Sequence, residues 1–198
     1  AKCLRSEFTT IAPKDFLGTE IMGKTFGQIG MGNIAQRIGH ILSAGFGMTL
    51  LGYDPFISTE EAAKRGFRKV DTLEELLEQS DLVNINVPLV KSTENMISGK
   101  LFDHFKPGAV FVNAARGAVI NEDGLYGALV SGKLKAAACD TFVNEPPTAE
   151  NKLLSLPNFI ATPHLGGNTE ESLRKAGTEV VEETLNVLAG KPPAHPVI

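Results

Sequence analysis

Short apolar runs alternate with amphipathic stretches along most of the chain. Residues 25–29, 48–53, 82–87, 109–113, 136–140 and 159–161 read as strands: each is short, apolar and bounded by turn-forming residues. Helical patterns lie between them. Ile34, Ile38, Ile41, Leu42 and Gly45 share one face at helical spacing. Residues 58–65 read as a short helix. Thr72-Leu73-Glu74-Glu75 has the form of a capping box, opening a helix with Leu73, Leu76 and Leu77 on its apolar side. Residues 93–104 read as mostly helical, and residues 121–131 as a helix stopped by Gly132. Thr169 caps a long last helix that ends at Gly190, with Leu173, Ala176, Val180, Leu185 and Leu188 expected to face inward. Residues 1–22 carry no comparable pattern: residues 1–8 resemble the tail of a helix, and Ala12-Pro13 and Leu17-Gly18 mark breaks.

Apolar strands separated by helices predict an α/β fold, a doubly wound and mainly parallel sheet covered on both faces. The pattern divides the chain into an N-terminal arm (1–22), one domain (23–190) and a tail (191–198). In such sheets ligands gather beyond the carboxyl ends of the strands. The residues just after the strands therefore matter most: Asp54, Pro88, Arg116, Asp140 and His164.

Composition narrows the class. With 198 residues, 42% hydrophobic and 21% charged, the chain suits a single globular domain with a real core. A net charge of −4 gives no reason to expect nucleic acid or an anionic membrane as partner. No apolar run is long enough to span a bilayer and no signal peptide is visible. Cys3 and Cys139 lack metal-ligand spacing, so no metal site is expected and a reduced, cytoplasmic setting is.

The stretch after the first strand carries chemistry. Gly30-Met31-Gly32-Asn33-Ile34-Ala35 is a G-x-G-x-x-A form of the dinucleotide fingerprint, placed between a strand and a helix as in a Rossmann domain. Gly30 permits a tight turn, Gly32 lets a pyrophosphate approach the backbone, and Ala35 keeps the helix close to the sheet. Free N–H groups at the helix start would face the phosphates. Asp54 follows the second strand at about the ~20-residue spacing of an acid that accepts hydrogen bonds from the adenosine ribose. It would repel the extra phosphate of NADP, which makes NAD the expected cofactor. Without the glycines, Asp54-Pro55 would be only the opening of a turn.

Three further loops carry one set of groups. Arg116 lies among small residues in Asn113-Ala114-Ala115-Arg116-Gly117, where its guanidinium can grip a carboxylate. Glu145 precedes Pro146-Pro147, which fixes the local backbone. His164, in Thr162-Pro163-His164-Leu165-Gly166-Gly167, can pass a proton near neutral pH, and a nearby carboxylate would orient its ring. Each residue alone has an ordinary reading: a surface ion pair, a turn, a packed histidine. Their joint occurrence after the strands of a nucleotide fold favours a site. His40, His104 and His195 have no such setting and read as surface or packing residues.

With these pieces in order, the chain resembles the D-isomer-specific 2-hydroxyacid dehydrogenases, the family of phosphoglycerate dehydrogenase and hydroxypyruvate/glyoxylate reductase. The matching motifs are residues 23–32, Tyr53-Asp54-Pro55, Val87-Pro88-Leu89, Asn113-Ala114-Ala115-Arg116-Gly117, Cys139-Asp140-Thr141-Phe142, Glu145-Pro146-Pro147 and Thr162-Pro163-His164. The resemblance implies NAD-dependent interconversion of a small D-2-hydroxy acid and its 2-keto acid by hydride transfer. Arg116 would hold the substrate carboxylate and polarise the keto oxygen, His164 would exchange the proton, and Glu145 would support the histidine. Asp140 would hold the nicotinamide carboxamide. Asn33 and Ile34 would lie against the pyrophosphate, Val87 against the adenosine side and Ala114 near the nicotinamide. Gly30, Gly32, Asp54, Pro88, Ala115, Arg116, Asp140, His164, Gly166 and Gly167 complete the implied cofactor-binding set. A homodimer is implied as well.

The chain departs from that family in three ways. Ala35 stands for the usual third glycine, and Thr141 for the usual valine. The family's substrate-covering domain is largely absent, so the chain is expected to start near the middle of a longer protein. Domain closure excludes water in such enzymes. The segment alone is therefore expected to bind NAD and to turn substrate over slowly or not at all. A non-catalytic NAD-sensing protein, like the corepressors of this fold, would share the same residues. The chemistry of the Arg-Glu-His set favours the enzyme.

Overall fold

The computed structural model describes residues 18–194 and 196, so the expected helix tail at residues 1–8, most of the expected arm and His195 lie outside the described residues. The elements are β1 (Thr25–Ile29), α1 (Asn33–Phe46), β2 (Thr49–Tyr53), α2 (Thr59–Lys64), β3 (Arg68–Lys69), α3 (Leu73–Gln79) and β4 (Leu82–Ile85). There follow α4 (Leu101–His104), β5 (Ala109–Asn113), α5 (Glu122–Val130), β6 (Leu134–Cys139), β7 (Phe159–Ala161) and α6 (Glu170–Leu188). The seven strands form one sheet in the order β3-β2-β1-β4-β5-β6-β7, parallel at every pairing. From β1 the chain winds outward through β2 and β3. It then returns to lay β4 beside β1 and winds the other way. Connections leave β1 and β4 in opposite directions, which opens a crevice at their carboxyl ends.

Buried side chains cover both faces of the sheet. Phe26, Met31, Met48, Leu50, Ala62 and Phe67 form one cluster. A larger one includes Ile29, Leu76, Leu77, Val83, Ile85, Phe105, Phe111, Ile120, Leu125 and Leu134. The expected doubly wound parallel fold is what forms. β3 was not expected: a two-residue edge strand, Arg68-Lys69, has no apolar pattern to reveal it.

Three expectations are corrected. On α1 the buried positions are Ala35 and Gly39, whereas Ile34 and Ile41 are 63% and 61% exposed. At its closest approach the helix leaves no room for a side chain: a β-carbon on Gly39 would stand 2.6 Å from Phe67 Cζ and 3.0 Å from Leu50 Cδ1, while Ile38 and Leu42 pack beside it as expected. Residues 93–104 form only the single turn α4. Asn95 and Gly99 take left-handed conformations, and Ile97 pairs in parallel with Ile120. Asn95 N and Ile97 N donate to Ala118 and Val119 carbonyls, so this backbone bonds its neighbour rather than itself.

The third correction concerns α6. Thr169 caps it as expected, with its hydroxyl accepting from Ser172 N, but the helix buries no residue. Leu173, Val180, Leu185 and Leu188 are 61–78% exposed. The periodicity is real, but among the described residues nothing covers the face it marks. None of the described helices is long and apolar enough to cross a membrane.

Thr141 follows β6 and is 2% exposed, and its hydroxyl has no hydrogen-bond partner among the described residues. A buried hydroxyl left unpaired costs about 1–3 kcal/mol, while valine has nearly the same shape. Thr141→Val is therefore expected to raise stability by about 1 kcal/mol in urea denaturation. A loss of stability would show that the hydroxyl is satisfied.

Candidate active site

The site is built around the turn after β1. Gly30 has φ 80°, and a β-carbon there would stand 2.5 Å from Asn86 O and 2.8 Å from Val87 Cγ1. Conformation and space both demand glycine, and the contact seats the turn against the loop after β4. Gly32 is different. A β-carbon on it would meet no protein atom within 4 Å, so the open space before α1 is a cradle that a side chain would fill.

The start of α1 is also chemically distinct. Ser58, Thr72, Asn121 and Thr169 cap α2, α3, α5 and α6 with side-chain oxygens, and each of those helices has two acids in its first turn. α1 has neither a side-chain cap nor a first-turn acid. Its unpaired N–H groups and positive dipole end are left for an anion in the crevice.

Charged side chains hold this turn in place. Asp54 Oδ2 accepts from Met31 N at 3.0 Å and Oδ1 from Phe56 N at 3.0 Å. Arg65 Nη1 donates to Met31 O at 2.6 Å, and its Nε to Glu61 Oε1 at 2.9 Å. The Met31 backbone is thus clamped at both its polar groups. Asp54 has a bracing duty beside its expected place at the ribose. Arg65 escaped notice in the sequence, because a basic residue at a helix end looks like an ordinary surface charge.

A cleft of about 640 Å³ opens at the crevice. Gly32, Asn33, Ile34 and Ala35 line one side, Asn86, Val87, Pro88 and Leu89 another, and Ala114, Ala115 and Arg116 its far end. Buried Gln28 and Asn84 steady it: Asn84 Nδ2 donates to Gln28 Oε1 at 2.9 Å and also to Asn86 Oδ1. Asn113, fully buried, shapes the far end. Its Oδ1 accepts from Ala115 N at 3.0 Å and its Nδ2 donates to Arg116 O at 3.0 Å.

Beyond Arg116 the charged groups converge. Glu145 Oε2 lies 2.9 Å from His164 Nδ1, and Glu145 Oε1 accepts from Phe142 N at 2.9 Å. The His164 hydrogen bond, the Phe142 N–H, and the charges of His164 and Arg116 hold the Glu145 carboxyl below its ordinary value. Arg116, Glu145 and His164 therefore share one neighbourhood. His164 itself has φ 56°, an uncommon conformation for a residue with a side chain, of the sort found at functional sites.

Asp140 organises the His164 loop. Its backbone oxygen accepts from His164 N at 2.8 Å, Oδ1 from Thr162 Oγ1 and from Leu165 N at 2.8 Å, and Oδ2 from Gly166 N at 2.9 Å. Burial raises the Asp140 pKa. The bonds from Thr162, Leu165 and Gly166 and the charge of His164 outweigh it, so the net shift is downward. Gly167 lies in the same loop, outside the cleft lining.

The family follows from the comparisons. The model of the D-isomer specific 2-hydroxyacid dehydrogenase NAD-binding domain matches residues 2–166. The chain belongs to this family. It is 44% identical to the D-3-phosphoglycerate dehydrogenase of Methanocaldococcus jannaschii over 178 residues, which is 90% of this chain and 34% of that one. It is 42% identical to the hydroxypyruvate reductase of Thermotoga maritima over 88% of this chain and 56% of the relative. The Lactobacillus jensenii D-lactate dehydrogenase with NAD+ superposes with a TM-score of 0.85 at 31% identity, over 100% of this chain and 62% of that one. The chain thus spans about a third to about three-fifths of these relatives.

The matched model is the NAD-binding domain of that family, and the geometry fits the cofactor. The cradle at Gly32, the uncapped start of α1 and the acid Asp54 are what a dinucleotide with a free ribose requires.

A β-carbon on Gly117 would stand 1.9 Å from Phe142 C and 2.2 Å from Phe142 O, where no side chain can yield. Gly117→Ala should destabilise by about 2 kcal/mol or more in chemical denaturation. Gly127→Ala in α5, where a β-carbon meets nothing within 4 Å, should be neutral or stabilising by up to about 1 kcal/mol. The loop's anchoring by ionised Asp140 is complete above the ordinary aspartate pKa of about 3.9 and is lost as pH falls through the lowered folded value. The Leu165 and Gly166 amide resonances should therefore titrate with a midpoint below about 3.9. A midpoint at or above that value would contradict the bonding.

Proposed function

We propose that the chain is the nucleotide-binding part of an NAD-dependent oxidoreductase that interconverts a small D-2-hydroxy acid and its 2-keto acid. The observation that carries this reading is the Glu145–His164 pair at 2.9 Å, whose carboxylate feels the charge of Arg116, a residue that lines the cleft. When bound, the nicotinamide supplies or accepts the hydride.

The protein's own groups handle the charge and the proton. Arg116 offers its planar fork to the substrate carboxylate and polarises the adjacent carbonyl. Ionised Glu145 can only accept a hydrogen bond, so His164 Nδ1 carries a proton toward it. Nε2 is then the nitrogen that exchanges a proton with the substrate oxygen, giving it in reduction and taking it in oxidation. Asp140 fixes the loop that presents the ring, and its remaining lone pairs suit the carboxamide of the nicotinamide.

The reading extends to a cytoplasmic homodimer. Gly23 N donates to Phe46 O, which brings exposed Ile21 and Met22 next to Phe46, an apolar surface suited to a second copy. Cys139, the free cysteine among the described residues, is buried and fits a reducing compartment.

The test pairs binding with turnover. Arg116→Ala and His164→Gln should leave the NAD dissociation constant of this chain within about threefold by calorimetry. In the whole protein the same changes should lower 2-keto acid reduction by NADH by about 10²–10⁴-fold. Undiminished turnover in both variants would refute the assignment. Retained NAD binding with no turnover of any 2-keto acid by the unaltered whole protein would favour a non-catalytic NAD sensor.

A further inference from the structure

We propose that Glu122 is a positioning residue: its one carboxylate ties both ends of the segment carrying Glu145, and so sets where Glu145 meets His164. The inference rests on the catalytic reading of that pair.

Glu122 stands in the first turn of α5, a helix anchored by buried Leu125, Ala128 and Leu129 and capped by Asn121 rather than by Glu122. Its Oε1 accepts from Val143 N at 2.8 Å and its Oε2 from the Asn151 side-chain amide at 2.9 Å. Val143 and Asn151 are the two ends of the segment that bears Glu145. Asn151 in turn caps the 3-10 turn Lys152–Ser155 through its Oδ1, which accepts from Leu153 N at 3.0 Å. Between those ends, among the described residues, the segment bonds to the rest of the chain through Glu145, which accepts from Phe142 N and pairs with His164.

Packing does not replace these bonds. A hollow of about 260 Å³ separates α5 from the segment, lined by Glu122, Tyr126 and Asn151 among others, and Val143 is 53% exposed. The segment stands off the helix, and the Glu122 carboxylate bridges the gap. On the other side Gly117 abuts the Phe142–Val143 backbone. Glu122 and Gly117 thus hold the same peptide from two directions, and Glu145 lies just past it. The Glu122 charge also acts on the neighbouring strand end: burial and then that charge push the Cys139 thiol up to about 12.

The test reads Glu145 directly. Its side-chain carboxyl is titrated by 13C NMR in this chain, where His164, the Phe142 N–H and Arg116 face it. Glu122→Ala removes both ties and should move the Glu145 midpoint up toward the ordinary value of about 4.3. Glu122→Gln, which keeps an acceptor for one end but turns a donor on the other, should move it part of the way. Asp123→Ala, one residue along and 83% exposed, should not move it. An unmoved Glu145 midpoint in a folded Glu122→Gln or Glu122→Ala variant overturns the proposal, and the glutamine variant decides it if the alanine variant fails to fold. In the whole protein, Glu122→Gln should lower kcat about ten- to a hundredfold with KM for NAD unchanged. A failed catalytic reading shows up separately, as undiminished kcat in Glu145→Gln, and leaves the titration result standing.

Discussion

At Gly117 two backbones meet with no room for a β-carbon between them, since the nearest atoms of Phe142 would lie 1.9 and 2.2 Å away. The contact joins the loop after β5 to the segment after β6, and so joins Arg116 to Glu145. Charge alone would not assemble such a site, because exposed ion pairs contribute little and long side chains roam. Here the backbone fixes the roots, and Asn113 and Asp140 fix the neighbouring turns. Gly30 plays the same part at the other end of the cleft, where it seats the first turn against Asn86 and Val87. The positions of Arg116 and Glu145 and of the turn after β1 are thus consequences of close backbone approach at two glycines.

The cleft separates two kinds of electrostatics. One end, at the start of α1, presents the positive end of the helix backbone, with neither a side-chain cap nor a first-turn acid to cancel it. The other end carries the Arg116 guanidinium, near a Glu145 carboxylate that is hydrogen-bonded to His164. Neutral residues, Val87, Pro88, Ala114 and Ala115, line the stretch between. A diphosphate at the first end and a carboxylate at the second would each meet a complementary field. The small residues between leave room for flat rings.

Much of this was legible in the sequence, because glycine turns, caps and post-strand motifs are local. β1, β5 and β7 were read to the residue, and Thr72 and Thr169 cap as their patterns indicate. Failures came where the decision was not local. Helical spacing in α1 placed Ile38 and Leu42 correctly against the core but also pointed to Ile34 and Ile41, which are exposed, while the close approach to Phe67 and Leu50 buries Ala35 and Gly39. The α6 stripe was real, yet whether a stripe is covered depends on what lies beside it. Residues 93–104 lost their helix to a pairing between Ile97 and Ile120 far along the chain. In the site, Arg116, Glu145 and His164 were readable as types at positions. Their supports Gly117, Arg65 and Glu122 were not, since each acts through a partner distant in sequence.

The central claim is that one crevice holds the dinucleotide and delivers it to Arg116. Amide chemical-shift mapping of this chain during titration with NAD tests that claim most directly. The account predicts the largest shifts at Gly32–Ala35, Val87 and Ala114–Arg116, with α6 and the hollow beside Tyr126 silent. Shifts confined to Tyr126, Lys152 and their neighbours, or to the exposed face of α6, would contradict it.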